Sequence, residues 1–248
     1  MTTSNLYLPK KSVLLDGSTT YLELANQGTG VANLNPTGSD AFSISAWFYP
    51  NQAYGHNIIM SNQETASPYE GFAFNLLNSK LTASWYTSGG TNRYAFDNNS
   101  TTIDQRRWYC GVMTYDGSDN STGFKIYQNG KKLELSYFSS GTVGTVESAA
   151  PIRIGDANWN GHFDGGLSNV AFWNKELSPA EITEIHRGRD GGIGPGDLRR
   201  HSAASNILGW WIADHPSDAF DDKINAQIGS YNFTANNLSS DSLQDLSP

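Results

Sequence analysis

The chain has 248 residues, 38% of them hydrophobic and only 16% charged, and small polar residues make up the difference: 28 Ser, 23 Asn, 18 Thr and 25 Gly. Turn formers at that density, with 12% aromatics, exclude a coiled coil or helical bundle and point to many short strands joined by polar loops. The formal net charge of −8 excludes nucleic acid as a main partner, because that binding rests on Lys and Arg neutralising phosphates, and the densest basic cluster is only Arg187, Arg189, Arg199 and Arg200.

No apolar run approaches the roughly 18 residues of a membrane span, so no membrane insertion is expected. Met1-Thr2-Thr3-Ser4 has neither a basic nor an apolar signal region, so no signal peptide is expected. The single cysteine, Cys110, leaves no internal disulfide.

Apolar alternation with period 2 recurs along the chain. Phe42-Ser43-Ile44-Ser45-Ala46-Trp47-Phe48-Tyr49 begins as strict alternation and becomes apolar on both faces, as a central sandwich strand does. Phe72 to Leu76 and Leu81 to Tyr86 are two more strands, separated by the turn Asn78-Ser79-Lys80. Trp108 to Tyr115 precedes the turn Asp116-Gly117-Ser118. Phe124 to Gln128 and Lys132 to Leu135 flank Asn129-Gly130, a hairpin signal because a type I′ turn needs positive φ at both central residues. Ile152 to Ile154 and Leu167 to Trp173 complete the series.

One helix is predicted. Ser178-Pro179-Ala180-Glu181 forms a capping box with Pro at the first helical position, Ile182 and Ile185 give a short apolar face, and Gly188 ends it. So short a helix is expected to lie across the mouth or edge of the sheets. Gly188 to Gly196 reads as a hinge. Beyond it, only Ile207-Leu208-Gly209-Trp210-Trp211-Ile212 is strongly apolar. The expected organisation is a sandwich over 1–192 and an extension over 193–248, which docks an edge strand (207–213) on the sandwich or on a neighbouring protomer. Trp210 and Trp211 are then the candidate partner-interface residues.

Several segments together resemble the laminin G-like and pentraxin-like branch of the concanavalin A-like lectin/glucanase superfamily. Val13 to Leu24 is similar to the family's opening strand pair around a D-G-S turn, and Phe42-Ser43-Ile44-Ser45-Ala46-Trp47 to its T-I-S-A-W strand. Trp108 to Gly117 followed by Ile126-Tyr127-Gln128-Asn129-Gly130 resembles its central hairpins. Ile154-Gly155, Phe163 to Val170 and Trp173 to Ser178 resemble its closing block. The match runs in order over roughly residues 13–187. It implies an all-β fold, an antiparallel two-sheet jelly-roll β-sandwich, with one short helix near 178–188. The family's L-V-x-W-W strand normally precedes the D-G-S turn, whereas here the similar segment is C-terminal. Either the tail supplies the missing edge strand or it pairs with a neighbour. The late Ser205-Asn206-Ile207-Leu208-Gly209-Trp210-Trp211 with its Asp/Asn/Ser-rich tail also resembles laminin G-like proteins encoded by phages.

Glucanases of the superfamily need paired carboxylates facing one cleft, about 5–5.5 Å apart when retaining. Glu23 and Glu134 are lone acids on strands, and no G-x-S-x-G elbow or zinc-spaced histidine pair occurs, so no catalytic residue is assigned. The resemblance implies Ca2+ at a sandwich rim, with Asp16, Asp97, Asp116, Asp119 and Asp156 as candidate ligands from oxygen-rich loops. The same residues also suit ordinary Asx turns. Ser168-Asn169 stands where the family often has an acidic pair.

Sugar recognition has a different signature: an exposed aromatic beside Asn, Asp or His. Asp156, Asn158, Trp159, Asn160 and His162 fit it within one glycine-flanked loop, with Tyr54, His56 and Tyr69 as further candidates. Trp47, Trp85, Trp108 and Trp173 read as core. Of Trp85 and Tyr86, whichever faces outward lies on the concave sheet.

The expected function is therefore non-catalytic surface recognition. The most favoured setting is a phage virion accessory protein on the particle exterior that packs on other virion or surface proteins, forms a homo-oligomer and touches host glycans. The alternatives are a stand-alone, extracellular calcium-dependent lectin and a degenerate glycoside hydrolase.

Overall fold

The computed structural model describes residues 12–67, 69–87, 92–97, 102–140, 148–159, 161–187, 196–212, 223–224, 226–239 and 242–244. In chain order the strands are β1 (Ser12–Asp16), β2 (Tyr21–Leu24), β3 (Phe42–Pro50), β4 (His56–Ser61), β5 (Gly71–Leu77), β6 (Lys80–Tyr86), β7 (Asn92–Asp97), β8 (Tyr109–Tyr115) and β9 (Phe124–Gln128). They continue with β10 (Lys131–Lys132), β11 (Leu135–Ser140), β12 (Ile152–Ile154) and β13 (Asp164–Trp173), then helix α1 (Pro179–Arg187) and β14 (Ile207–Trp211). The tail adds β15 (Lys223–Ile224), β16 (Ala226–Ile228), β17 (Phe233–Asn236) and β18 (Leu243–Gln244).

Two antiparallel sheets face each other. One runs β10-β9-β8-β3-β13-β1-β18, with β14 on β13 and β16 on β14; the other runs β11-β7-β6-β5-β4-β12-β2-β17-β15. The pleat sends alternate side chains into the space between them. Phe42, Ile44, Ala46 and Phe48 from β3 meet Phe72, Phe74, Leu76, Leu81, Ala83 and Trp85 from β5 and β6 in one buried core. This is the predicted jelly-roll sandwich. The Asn129-Gly130 turn has φ of 52° and 75°, the left-handed pair that the hairpin requires.

The predicted strand Lys132–Leu135 is divided. β10 pairs with β9 in one sheet, and the chain then crosses to the other, where β11 pairs with β7. β1 and β2 likewise lie in different sheets, so their D-G-S turn is a crossing between layers.

Helix α1 does not lie at the mouth or edge. It covers the outer face of the first sheet, where Ile182 and Ile185 pack with Trp47, Cys110, Val112, Tyr127 and Trp173 in a second buried cluster. That layer explains why β3 turns apolar on both faces: Phe48 looks into the sandwich and Trp47 looks under the helix. Burial there pushes the Cys110 thiol up, away from reactive thiolate character. Trp85 and Trp173 are core as expected, whereas Trp108 is only partly buried.

Trp210 and Trp211, on the strand expected to dock on the sandwich or on a neighbouring protomer, are buried within the chain. β14 pairs with β13, which sends Trp210 into the helix-side cluster and Trp211 into the main core. The Trp210 indole donates to Asn169 Oδ1 at 3.1 Å, and Trp211 donates to the Tyr231 carbonyl at 2.6 Å. Asn169 sits at a bulge in β13 with φ 51°, so Ser168-Asn169 anchors the tail strand in the place of an acidic pair. The described residues of the tail thus close the chain's own sheets.

Candidate functional site

The second sheet is open on its outer face, and a groove of about 680 Å³ lies on β5 and β6. That volume is within the usual range of small-ligand clefts. Its floor follows from the pleat: with Phe72, Phe74, Leu81 and Trp85 pointing inward, Ala73, Asn75, Thr82 and Ser84 must point outward. Strand register sets its ends. His56 pairs with Leu77 at one end, and Tyr86 pairs with Gly71 at the other.

Aromatic rings rise from this polar floor. His56 and Trp159 meet edge to face with centroids 4.8 Å apart. Tyr69 and Tyr86 meet similarly at 6.3 Å. Burial, and after it the neighbouring Tyr69, pushes the Tyr86 phenol up, so it remains a neutral hydroxyl at physiological pH. Burial also lowers the His56 pKa, favouring the uncharged imidazole. No Asp, Glu, Lys or Arg lines the groove among the described residues.

Gln63 completes the lining. It is 2% exposed, and its Oε1 accepts from the Trp159 indole at 3.0 Å. Because an indole N–H can only donate, that contact fixes the amide orientation and leaves Nε2 as the second hydrogen-bonding atom. Nε2 is buried and has no partner among the described residues. A buried donor left unused is uncommon, and here it belongs to a residue that lines the groove.

The loop carrying Trp159 is strapped to β4. Gly155 N–H donates to the Ile59 carbonyl, Phe163 N–H to the Gly155 carbonyl, and Ile58 N–H to the Gly161 carbonyl. The Trp159 ring then packs on Ile58, Ala73 and Ala157. Asn158 Nδ2 donates to the Gln63 carbonyl at 2.8 Å, so Asn158 braces the backbone of Gln63 from outside the groove.

Asp156 is 2% exposed, beneath the loop. Its Oδ2 accepts from Arg153 Nη1 at 2.7 Å, while His162 Nδ1 lies 3.0 Å from Oδ1 but off the line of a hydrogen bond. Arg153 also pairs with Glu23 at 2.8 Å and stacks over the Tyr21 ring at 4.4 Å. Burial raises the Asp156 pKa, opposed by the positive charge around it. Asp156 thus ties the loop to β12 through Arg153, and neither Asp156 nor His162 lines the groove.

Of the sequence-derived sugar candidates, the structure brings Trp159, His56 and Tyr69 together. Tyr54 is 70% exposed and stands apart from the groove, and Asn160 lies outside the described residues. Gln63, Asn75, Thr82 and Ser84 escaped the sequence reading. For Asn75, Thr82 and Ser84 the signal was a small polar residue alternating with apolar ones on two strands; Gln63, in the loop after β4, carried none.

Of the carboxylates proposed for Ca2+, Asp16, Asp116 and Asp156 hold protein donors. Asp16 accepts from the backbone N–H groups of Ser18, Thr19 and Thr20 and from both threonine hydroxyls. Burial acts to raise its pKa, but the backbone bonds from Thr19, Thr20 and Ser18 outweigh it and hold the carboxyl well below the usual range. Asp116 caps its own turn through Ser118 N–H at 2.9 Å. Asp119 is half-buried with φ 51°, and the Asp97 side chain lies outside the description. Among the described residues no group of three or more His, Cys, Asp or Glu side chains could hold a metal ion.

A family model described as Laminin_G_3, concanavalin A-like lectin/glucanases superfamily, matches residues 16–183, and the chain belongs to that family. No curated protein matches it significantly. Among solved structures, it is similar to a candidate carbohydrate-binding protein from Bacteroides ovatus, at TM-score 0.60 and 17% identity over 92% of this chain. The chain spans 58% of the length of that protein. It is also similar to domain 4 of the extracellular arabinanase AbnA from Geobacillus stearothermophilus, solved with arabinotriose, at TM-score 0.49 and 16% identity over 70% of this chain and 75% of that one. A heptameric SAP-like pentraxin from Limulus polyphemus shows TM-score 0.43 and 15% identity, over 73% of this chain and 83% of that one. At these identities the likeness is one of fold. Among the described residues no helix is long and apolar enough to cross a membrane.

Proposed function

We propose that the chain is a non-catalytic recognition module that holds a neutral oligosaccharide in the groove on β5 and β6, without a metal ion. One observation carries this reading: an uncharged groove joins two aromatic pairs to a floor of Asn75, Thr82 and Ser84 and to the unused donor of Gln63. Sugar rings offer apolar C–H faces to aromatic rings and hydroxyls to neutral amides and hydroxyls. A charged sugar would enter without a counter-charge, which burial penalises. A glycosidase would need two carboxylates in this groove, and the lining has no Asp or Glu among the described residues.

A phage particle as the setting rests on the resemblance of the 205–211 segment and the polar tail to phage-encoded relatives. It would display the groove to host-surface glycans. Copurification with particles at fixed stoichiometry tests that setting separately from sugar binding.

Glycan-array screening of the full chain, with and without EDTA, tests the binding reading. Neutral glycans should be retained, EDTA should not release them, and Trp159→Ala and Tyr86→Ala should each weaken them. Calcium-dependent binding, or release of reducing ends from a bound glycan, would replace this reading with one of its alternatives.

A further inference from the structure

A second groove, of about 460 Å³, lies on the opposite side of the molecule, between helix α1 and the β9–β10 hairpin. We propose that it binds a sugar bearing a carboxylate. It shares no lining residue with the groove on β5 and β6, and the two readings stand independently.

Three observations carry the inference. The first is the aromatic surface. Trp47 and Trp108 both line the groove, and Trp47 stacks nearly parallel to the His186 ring, 5.7 Å away and tilted by 14°. Trp108 is only partly buried, a flat ring that a sugar face can cover.

The second is an unused donor. Trp47 is 4% exposed, and its indole nitrogen is buried without a partner among the described residues. The indoles of Trp159, Trp173, Trp210 and Trp211 each reach an acceptor: Gln63, Ser45, Asn169 and the Tyr231 carbonyl. The Trp47 indole, unlike these four, has none and lines a groove, and a ligand oxygen is the acceptor it lacks.

The third is charge. Lys131 and Arg187 line the groove, both are exposed, and among the described residues no acidic side chain joins them in the lining. Among the described residues neither has an ion pair. In a chain with 24 acidic and 16 basic residues, that is a local reversal of sign. Two cations match a single carboxylate, whereas the net charge of −8 disfavours a densely charged polyanion. Asn129 adds polar contact for hydroxyls: its Oδ1 accepts from Cys110 N–H, so its amide N–H2 is the remaining donor.

The carboxylate can belong to a uronic acid within a polymer or to a terminal acidic sugar of the sialic type. Calorimetric titration of the full chain with an aldotriouronic acid (one uronate on a neutral disaccharide), sialyllactose, lactose and adenosine monophosphate separates these sources and the nucleotide alternative. At least one of the two acidic sugars should bind, more tightly than lactose does to Tyr86→Ala. That affinity should fall as salt rises from about 50 to about 500 mM. The double variant K131A/R187A, altered only at exposed side chains, should weaken it by about tenfold or more, and Trp108→Ala should also weaken it. Tyr86→Ala should leave it unchanged. The proposal is overturned if neither acidic sugar binds, if K131A/R187A binds them as the parent does, if Tyr86→Ala abolishes the binding, or if the nucleotide binds more tightly than both sugars.

Discussion

The Trp159 indole N–H donates to Gln63 Oε1 at 3.0 Å across 96 residues of chain. One hydrogen bond thereby fixes both the aromatic wall of the groove and the direction of the amide beside it. The indole holds the oxygen, and the amide nitrogen is left for a ligand.

Gln63→Leu should therefore lose more than one ligand contact. It removes the donor to the ligand and releases Trp159 from its set position. Neutral-sugar affinity should fall further than in Tyr86→Ala, where a single ring is lost and binding weakens about 3- to 10-fold. Calorimetry on both variants measures the difference.

Ligand length should be read by Phe138. The register runs Ser84 to Tyr94 to Phe138, which places Phe138 on the outward face two strands beyond the groove floor, 50% exposed. At about 4.8 Å per strand this adds about 10 Å of surface. Phe138→Ala should weaken binding of long oligosaccharides and leave disaccharides unaffected, as titration with a series of chain lengths would show.

Much of this fold was legible in the sequence because a pleated strand writes its two faces in alternation. Phe72-Ala73-Phe74-Asn75-Leu76 declares both a core face and a polar floor. Trp159, His56 and Tyr69 were each recognisable as sugar-type residues, but their convergence was not. It depends on β12 pairing with β4, and on the loop after β12 being strapped to β4. The helix was misplaced for a related reason: Trp47, Cys110, Val112 and Trp173 form the apolar outer face it covers only once three strands are set side by side. The sheet switch between β10 and β11 left no pattern, since Leu133-Glu134 reads as a continuing strand.

The Arg153 network supports the groove indirectly. Arg153→Met should leave the Asp156 carboxylate buried without its main partner, lowering stability by about 2–3 kcal/mol, a figure reduced because Arg153 is itself partly exposed. Denaturant titration measures it, and the double variant R153M/D156L should recover most of the loss.

Stability should also depend on pH through His56 and His186. Burial lowers both, with Arg187 adding to the effect at His186. A folded-state pKa below the ordinary value of about 6.5 means that the unfolded chain takes up protons first as pH falls. The contribution is complete above that value and is lost as pH falls from it through the folded-state pKa. Melting temperature should drop on acidification across this window, and the drop should be smaller in H56Q/H186Q.

The tail should be indispensable to the fold. Trp211 is 2% exposed and packs edge to face on Phe233 at 4.9 Å. Trp211→Ala should cost about 3–5 kcal/mol. Denaturant titration of the variant beside the parent protein measures the loss.

The most direct test is a crystal structure with a neutral oligosaccharide that the chain retains. A sugar ring should lie against Trp159 or Tyr86, with one of its oxygens within hydrogen-bonding distance of Gln63 Nε2 and no metal between them. A sugar ordered at some other surface, with Gln63 and Trp159 untouched, would contradict the account.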